Sequence, residues 1–193
     1  MTDLNKGGRL QLILIGAVFI GPFALAWLLY DPDGGWTPEG STAHGELIAP
    51  VKLVPDENLS VPRDEQDSPY PGIWTLAHAG NGACDETCEK SLYKTRQVRK
   101  SLGKEDRRVQ RIFFLTDAIP LDPAIAGHHP GLKVHGADQA LTVEFIRAIE
   151  PYDTRDIYLI DPLGNLIMRF TPDTGMKDMF KDLKKLLKVS QIG

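Results

Sequence analysis

The chain has 193 residues, 42% of them hydrophobic and 25% charged, with a formal net charge of −4 and an isoelectric point near 5.7. That is ordinary globular composition. It lacks the basic excess that a nucleic-acid-binding surface needs, so no nucleic-acid partner is expected. The one basic cluster, Arg107, Arg108 and Arg111, adjoins Glu105 and Asp106 and reads as a solvated strand entry. About 160 residues follow the N-terminal apolar stretch, enough to build a core.

Leu10 to Tyr30 runs for 21 residues without a charged side chain. As a helix it would span roughly 31 Å, close to the hydrocarbon thickness of a bilayer. Lys6 and Arg9 precede it, and Asp31, Asp33 and Glu39 follow it. Lys and Arg mark the cytoplasmic side, and Trp27 and Tyr30 stand where an interfacial aromatic belt is expected. Ala24-Leu25-Ala26 has the form of a signal-peptide cleavage site. The apolar run continues past it, which favours an uncleaved anchor. The expected layout is a cytoplasmic N-terminus at 1–9, a transmembrane helix at 10–30, a tether at 31–43 and a domain at 44–193. The membrane would be a bacterial-type inner membrane, crossed once, with the domain in the periplasm.

Pro32, Gly34, Gly35, Pro38 and Gly40 make the tether irregular. His44 to Val54 carries short apolar runs suited to one or two edge strands. Residues 55–71, polar and rich in proline, read as a long surface loop. The pattern then becomes regular. Ile73 to His78 is a strand, Gly80 to Ala83 a turn, and Cys84 to Leu102 a helix closed by Gly103. Arg111 to Thr116 is a strand, and its unbroken apolar run suits one covered on both faces. Leu132 to His135 is a short strand and Ala137 to Ile149 a helix. Asp156 to Ile160 and Asn165 to Phe170 form a hairpin about Asp161-Pro162-Leu163-Gly164. Met176 to Leu187 has helical spacing, with five lysines on its outer side or ends. The first two strands of this regular part should be parallel and the last two antiparallel. This is an α/β fold: a mixed sheet flanked by helices, in thioredoxin-like order.

The chain has two cysteines, Cys84 and Cys88, at the first strand-to-helix junction. On a helix, positions i and i+4 share a face, with Cα atoms about 6 Å apart, within disulfide reach. A helix N-terminus favours a thiolate, while Asp85 and Glu86 oppose it. An exported compartment permits a disulfide. A static disulfide here would close a tiny loop and stabilise little. Two buried, inert thiols are the other bland alternative. The Gly-rich turn before Cys84 points instead to exposed sulfurs and to redox or metal chemistry.

From about Gly45 to Lys188 the sequence resembles the SCO/SenC family, thioredoxin-like assembly factors for cytochrome c oxidase. The resemblance is carried by WTLAHAGNGACDETCEKSLYKTRQVRKSLG, RIFFLTD, IYLIDPLGNLIMRF and the last amphipathic helix. It implies that Cys84 and Cys88 bind copper or exchange disulfides. In the family a histidine just ahead of the strand resembling IYLID completes a copper site. Here Asp153 stands at that third-ligand position, and no histidine lies between Glu150 and Gly193. By the same spacing Arg155 occupies the place of the thioredoxin cis-proline, and Pro151 is too early unless the loop shifts.

The other metal candidates are His44, His78, His128, His129 and His135. His78 ends a strand near the cysteines, where a polar edge histidine is the ordinary outcome. His128-His129 reads as solvated loop and His135 as surface. Carboxylate at Asp153 suits Cu(I) poorly, since that ion prefers sulfur. Trp74, Met176 and Met179 read as core. The leading functional expectation is a thiol–disulfide reductant whose client is a copper-binding subunit of cytochrome c oxidase or one of its assembly factors. Cys84, the more exposed sulfur, would attack and Cys88 would resolve. No cofactor would be required. A Cu(I) chaperone using the same cysteines and a non-enzymatic assembly scaffold are the alternatives.

Overall fold

The computed structural model describes residues 4–29, 42–54 and 72–190. The chain divides into two units, Met1–Ser41 and Thr42–Gly193. The expected surface loop at 55–71 and all of the tether but Thr42 and Ala43 lie outside the described residues.

In the first unit, Leu4–Leu29 forms one helix (α1) that runs through Pro22. Its described apolar side chains are exposed around the whole circumference, Leu12, Phe19 and Trp27 among them. Among the described residues no helix is long and apolar enough to cross a membrane. In the sequence, the apolar run goes on beyond those described side chains, through Leu10 at one end and Leu28 and Leu29 at the other.

The second unit is a six-stranded sheet with helices on both faces. In chain order the strands and helices are β1 (Glu46–Leu53), β2 (Trp74–Gly80), α2 (Glu86–Ser101), β3 (Val109–Leu115), α3 (Pro123–His128), β4 (Leu132–His135), α4 (Ala140–Ile149), β5 (Ile157–Ile160), β6 (Asn165–Phe170) and α5 (Met176–Val189), with a short 3-10 turn at Gly103–Arg108. The sheet order is β1-β6-β5-β2-β3-β4. β2 and β3 run parallel, as do β3 and β4. β5 is antiparallel to both β2 and β6. The expected mixed sheet and its hairpin are therefore present. The His44–Val54 segment supplies a single edge strand, β1, paired with β6 and bulged between Leu47 and Lys52.

β2, β3 and β5 are buried along their whole length, as strands covered on both faces must be. One face packs α4 through Leu141, Phe145 and Ile149 against Ala77, Ile112 and Ile160. Phe114 stacks on Phe145 at 4.2 Å between centroids. The other face packs Val98 of α2 and Met179, Leu183 and Leu187 of α5 against Trp74, Leu76 and Leu159. Each such buried Val, Leu, Ile, Phe or Met side chain contributes about 1.5–3 kcal/mol of transfer free energy. Met179 is fully buried, but Met176 is 42% exposed. It is the first residue of α5 and does not join the core.

Three turns follow directly from local chemistry. Gly103, at φ 61°, ends α2 in the left-handed conformation that glycine adopts freely. The Asp161 carboxylate accepts the backbone N–H groups of Leu163 and Asn165, both at 2.8 Å, and sets the β5–β6 hairpin. Asp122 caps α3 through the Ala124 N–H at 2.7 Å.

Candidate functional site

The site is assembled where β2 runs into α2. Asp85 caps the helix, its carboxylate accepting the Cys88 N–H at 2.9 Å. The helix therefore begins at Glu86, two residues later than the sequence reading placed it. Cys84 stands outside it, at φ 39°, an unusual conformation for a residue with a Cβ. The Asn81 side chain holds that conformation by accepting the Cys84 N–H at 3.0 Å. Cys88 lies in the first helical turn. The two cysteines form a disulfide, with Cα atoms 5.1 Å apart.

The expectation of exposed thiols is corrected: Cys84 is 2% exposed and Cys88 6%, so Cys84 is not the more accessible sulfur. They pack with Leu92, Phe113, Leu115 and Leu121. Burial arises because the turn before Cys84 is clamped from above. The Gly82 N–H donates to Asp117 Oδ1 at 2.9 Å. A Cβ at Gly82 would lie 1.9 Å from the Ile119 carbonyl oxygen, so only glycine admits this approach. Beneath the helix, a Cβ at Gly80 would lie 3.7 Å from Cys88 Sγ and 3.1 Å from the Phe113 ring.

His78 corrects a second expectation. It is 1% exposed, in the central strand β2, not at a polar edge. It lies on the same face of β2 as Gly80, since residues i and i+2 share a face. Its Nδ1 donates to the Asp156 carbonyl at 2.9 Å, and its ring stacks on Phe113 at 5.5 Å. That bond fixes the tautomer with the proton on Nδ1, leaving a bare Nε2 that is buried without a partner. Burial lowers its pKa to about 4, against a raising contribution from the Asp156 carbonyl. A histidine inside an apolar strand run was the available signal, and spacing alone could not show which side of the sheet it faced.

The structure draws Asp153 into another partnership. Its two oxygens accept the Arg155 backbone N–H at 2.9 Å and the guanidinium at 2.5–3.1 Å. Arg155 beside it holds the carboxyl down to about 2. The loop is tied to α2 by Ser91 Oγ, which donates to the Arg155 carbonyl at 3.3 Å. Among the described residues no three His, Cys, Asp or Glu side chains converge to hold a metal ion. The side chains present thus fit a copper ion poorly: the sulfurs are bonded to each other, and the carboxylate, a hard donor, is already paired. Pro151, set aside as too early in the sequence, does carry a cis peptide bond, with Glu150.

The remaining histidines are scattered. His44 Nδ1 lies 2.8 Å from Asp182, a buried carboxylate of α5 that also accepts the backbone N–H groups of His44 and Gly45 at 2.7 and 2.9 Å. Asp182 thereby fastens the start of the second unit to its last helix, a role the lysine-rich pattern around it concealed. His128 ends α3 rather than lying in open loop, and His129 is buried. His135 is half-buried, tilted against Phe114 at 5.5 Å. Arg111 is 1% exposed within β3, not solvated. Arg108 donates to the Leu187 and Ser190 carbonyls, each at 3.0 Å.

A disulfide at the C-terminal end of a central parallel strand, capped into the first turn of a helix, defines a thioredoxin-like protein. Residues 74–190 match the family model described as "Transmembrane-like, thioredoxin-like, C-terminal domain", and residues 5–31 match that described as "Transmembrane-like, N-terminal domain". The chain belongs to this transmembrane-like, thioredoxin-like family. Among solved structures it is similar to apo Sco1 from Thermus thermophilus, at 20% identity over 75% of this chain and 97% of that one, with a TM-score of 0.57. It is also similar to copper-bound yeast Sco1, at 18% identity over 62% of this chain and 80% of that one, with a TM-score of 0.52. The copper-bound ScoI of Arabidopsis thaliana gives 16%, 62%, 86% and 0.50. At such identities the likeness is one of fold, and at that level the SCO-like resemblance holds. No curated protein sequence matches the chain.

Proposed function

We propose that this chain is a membrane-anchored thiol–disulfide exchange protein that, in its reduced form, keeps the cysteines of a copper-binding cytochrome c oxidase subunit reduced for metal loading. The observation that carries the reading is the Cys84–Cys88 disulfide at the β2–α2 junction. The family's transmembrane-like N-terminal domain supports the anchor, and the fold shared with Sco1 structures supports the assembly role. With the N-terminus in the cytoplasm, as Lys6 and Arg9 imply, the domain works outside it.

In the reaction, the Cys84 thiolate attacks one sulfur of a client disulfide. A mixed disulfide forms, and the client's other sulfur leaves as a thiolate. Cys88 then attacks Cys84 Sγ, closing the intramolecular disulfide and releasing the second client thiolate. Two electrons pass to the client, and the protons lost by Cys84 and Cys88 balance those the client takes up. Cys84 is assigned the attack because it lies ahead of the cap, outside the helix. Cys88 is held in the helix against Gly80 and Phe113. The test is a redox titration of the full chain, with trapping by single variants. A reversible two-electron couple is expected between roughly −300 and −120 mV. Cys88→Ser should accumulate mixed disulfides and Cys84→Ser should not. Thiols that never reoxidise, or trapping by neither variant, refute the reading.

A further inference from the structure

The turn between α3 and β4, His128-His129-Pro130-Gly131, is gripped by arginines from two other elements. Arg96 Nη1 of α2 donates to the His128 carbonyl. Arg111 Nη2 of β3 donates to the Pro130 carbonyl at 2.6 Å. Arg99, one turn along α2 from Arg96 and on the same face, brings Nη1 to within 3.8 Å of where a Cβ at Gly131 would sit. None of the three arginines forms an ion pair among the described residues, and Arg99 Nε donates to the Asp106 and Val109 carbonyls at 3.0 and 2.6 Å, which holds its guanidinium in place. Arg96 instead lies over the Tyr93 ring, 5.3 Å from its centroid.

Arg111 is 1% exposed, yet its Nε and Nη1 have no hydrogen-bond partner. Neither has the buried Nε of Arg96, nor Nδ1 of His129. Like charges held together without a counterion repel, and a buried donor left unpaired forfeits the hydration it had in water. An anion relieves both defects at once. Guanidinium groups match oxyanions in planar, two-point geometry. A singly charged ion would leave two of the three positive charges uncompensated, so the charge count favours a dianion. Arg96 and Arg99 are only half-buried, so they stand on the solvent side of Arg111.

We propose that Arg96, Arg99 and Arg111, with His129, form an anion-binding site for a phosphate-type oxyanion, remote in chemistry from the cysteine pair and independent of its function. Arg111 keeps its charge at neutral pH, although burial and then Arg99 and Arg96 lower it to about 10.

The test uses the full chain in nonionic detergent, titrated with inorganic phosphate against chloride at matched ionic strength. Thermal unfolding should shift upward saturably with phosphate, and the His129 ring resonances should move in step. Arg96→Gln and Arg99→Gln should each weaken the apparent affinity by about tenfold or more. Arg111→Gln should abolish the response if it folds; the other two variants decide the matter if it does not. A short-chain phosphatidic acid is the second arm. Saturable binding of inorganic phosphate alone assigns the site to the free ion, and binding of both assigns it to phosphate groups including lipid headgroups. A shift no larger than chloride gives, or one unchanged in the Arg96→Gln/Arg99→Gln double variant, overturns the proposal.

Discussion

Replacing Gly82 by alanine should open the cysteine site from the side opposite the helix. The added Cβ would sit 1.9 Å from the Ile119 oxygen, where ordinary contact begins at 3.4 Å, so the two loops must part by about 1.5 Å. Neither obstacle is a flexible side chain: the nearest atoms are the Ile119 carbonyl and the Pro120 oxygen, 3.0 Å away. Overpacking of this kind destabilises by about 1–3 kcal/mol. Parting the loops also breaks the Gly82 N–H bond to Asp117, worth about 1 kcal/mol. The expected loss is therefore about 2–4 kcal/mol, or roughly 5–15 °C in Tm for a domain of this size. Urea unfolding of the oxidised chain in detergent measures it. Reduction of the Cys84–Cys88 disulfide by dithiothreitol should quicken in the same variant, because the lid over the sulfurs has moved. Ala83→Gly, at the exposed neighbouring position, is the control and should change neither quantity much. A Gly82→Ala protein within about 0.5 kcal/mol of wild type and with an unchanged reduction rate would refute the clamp.

His78 should make stability depend on pH. Its value is about 4 folded against 6.5 for the free side chain. The unfolded chain therefore binds more protons between those values, and stability falls as pH drops through that window and is level above about pH 7. The full effect is about 3 kcal/mol, and urea titrations at pH 7, 5.5 and 4 should show it shrinking in His78→Gln. For copper, the reduced chain should bind Cu(I) through its two thiolates only weakly and Cu(II) poorly, because Asp153 is a hard ligand already held by Arg155. Asp153→His should tighten binding in competition with a Cu(I) chelator, and tight wild-type binding indifferent to position 153 would sink this view. For topology, a reporter active only in the periplasm should work when fused after Gly193, and the protein should stay with membranes through a carbonate wash. A mature form beginning at Trp27 would establish cleavage instead.

Much of the fold was legible in the chain because it is written in short-range patterns. The unbroken apolar run Ile112 to Leu115 marked a doubly covered strand, and Asp161 to Gly164 marked a hairpin. The spacing of Met179, Leu183 and Leu187 marked a helix with one buried face. The cysteine pair was legible too, since a strand-to-helix junction is a local feature. Four side chains near or beyond the site, His78, Arg111 and the two cysteines, were misread, each for the same reason. His78 and Arg111 are polar residues in strands, and sequence alone assigned them to an edge and to solvent. Their burial depends on the neighbours of β2 and β3 in the sheet, which places both strands inside it. The thiols were expected in the open because a glycine-rich turn precedes them. They are covered because Asp117 and Ile119 come from another loop to meet Gly82. Periodicity reports how a segment presents itself to whatever it packs against. What it packs against, and hence which polar groups lose their water, is decided by pairings between distant segments that no local pattern contains.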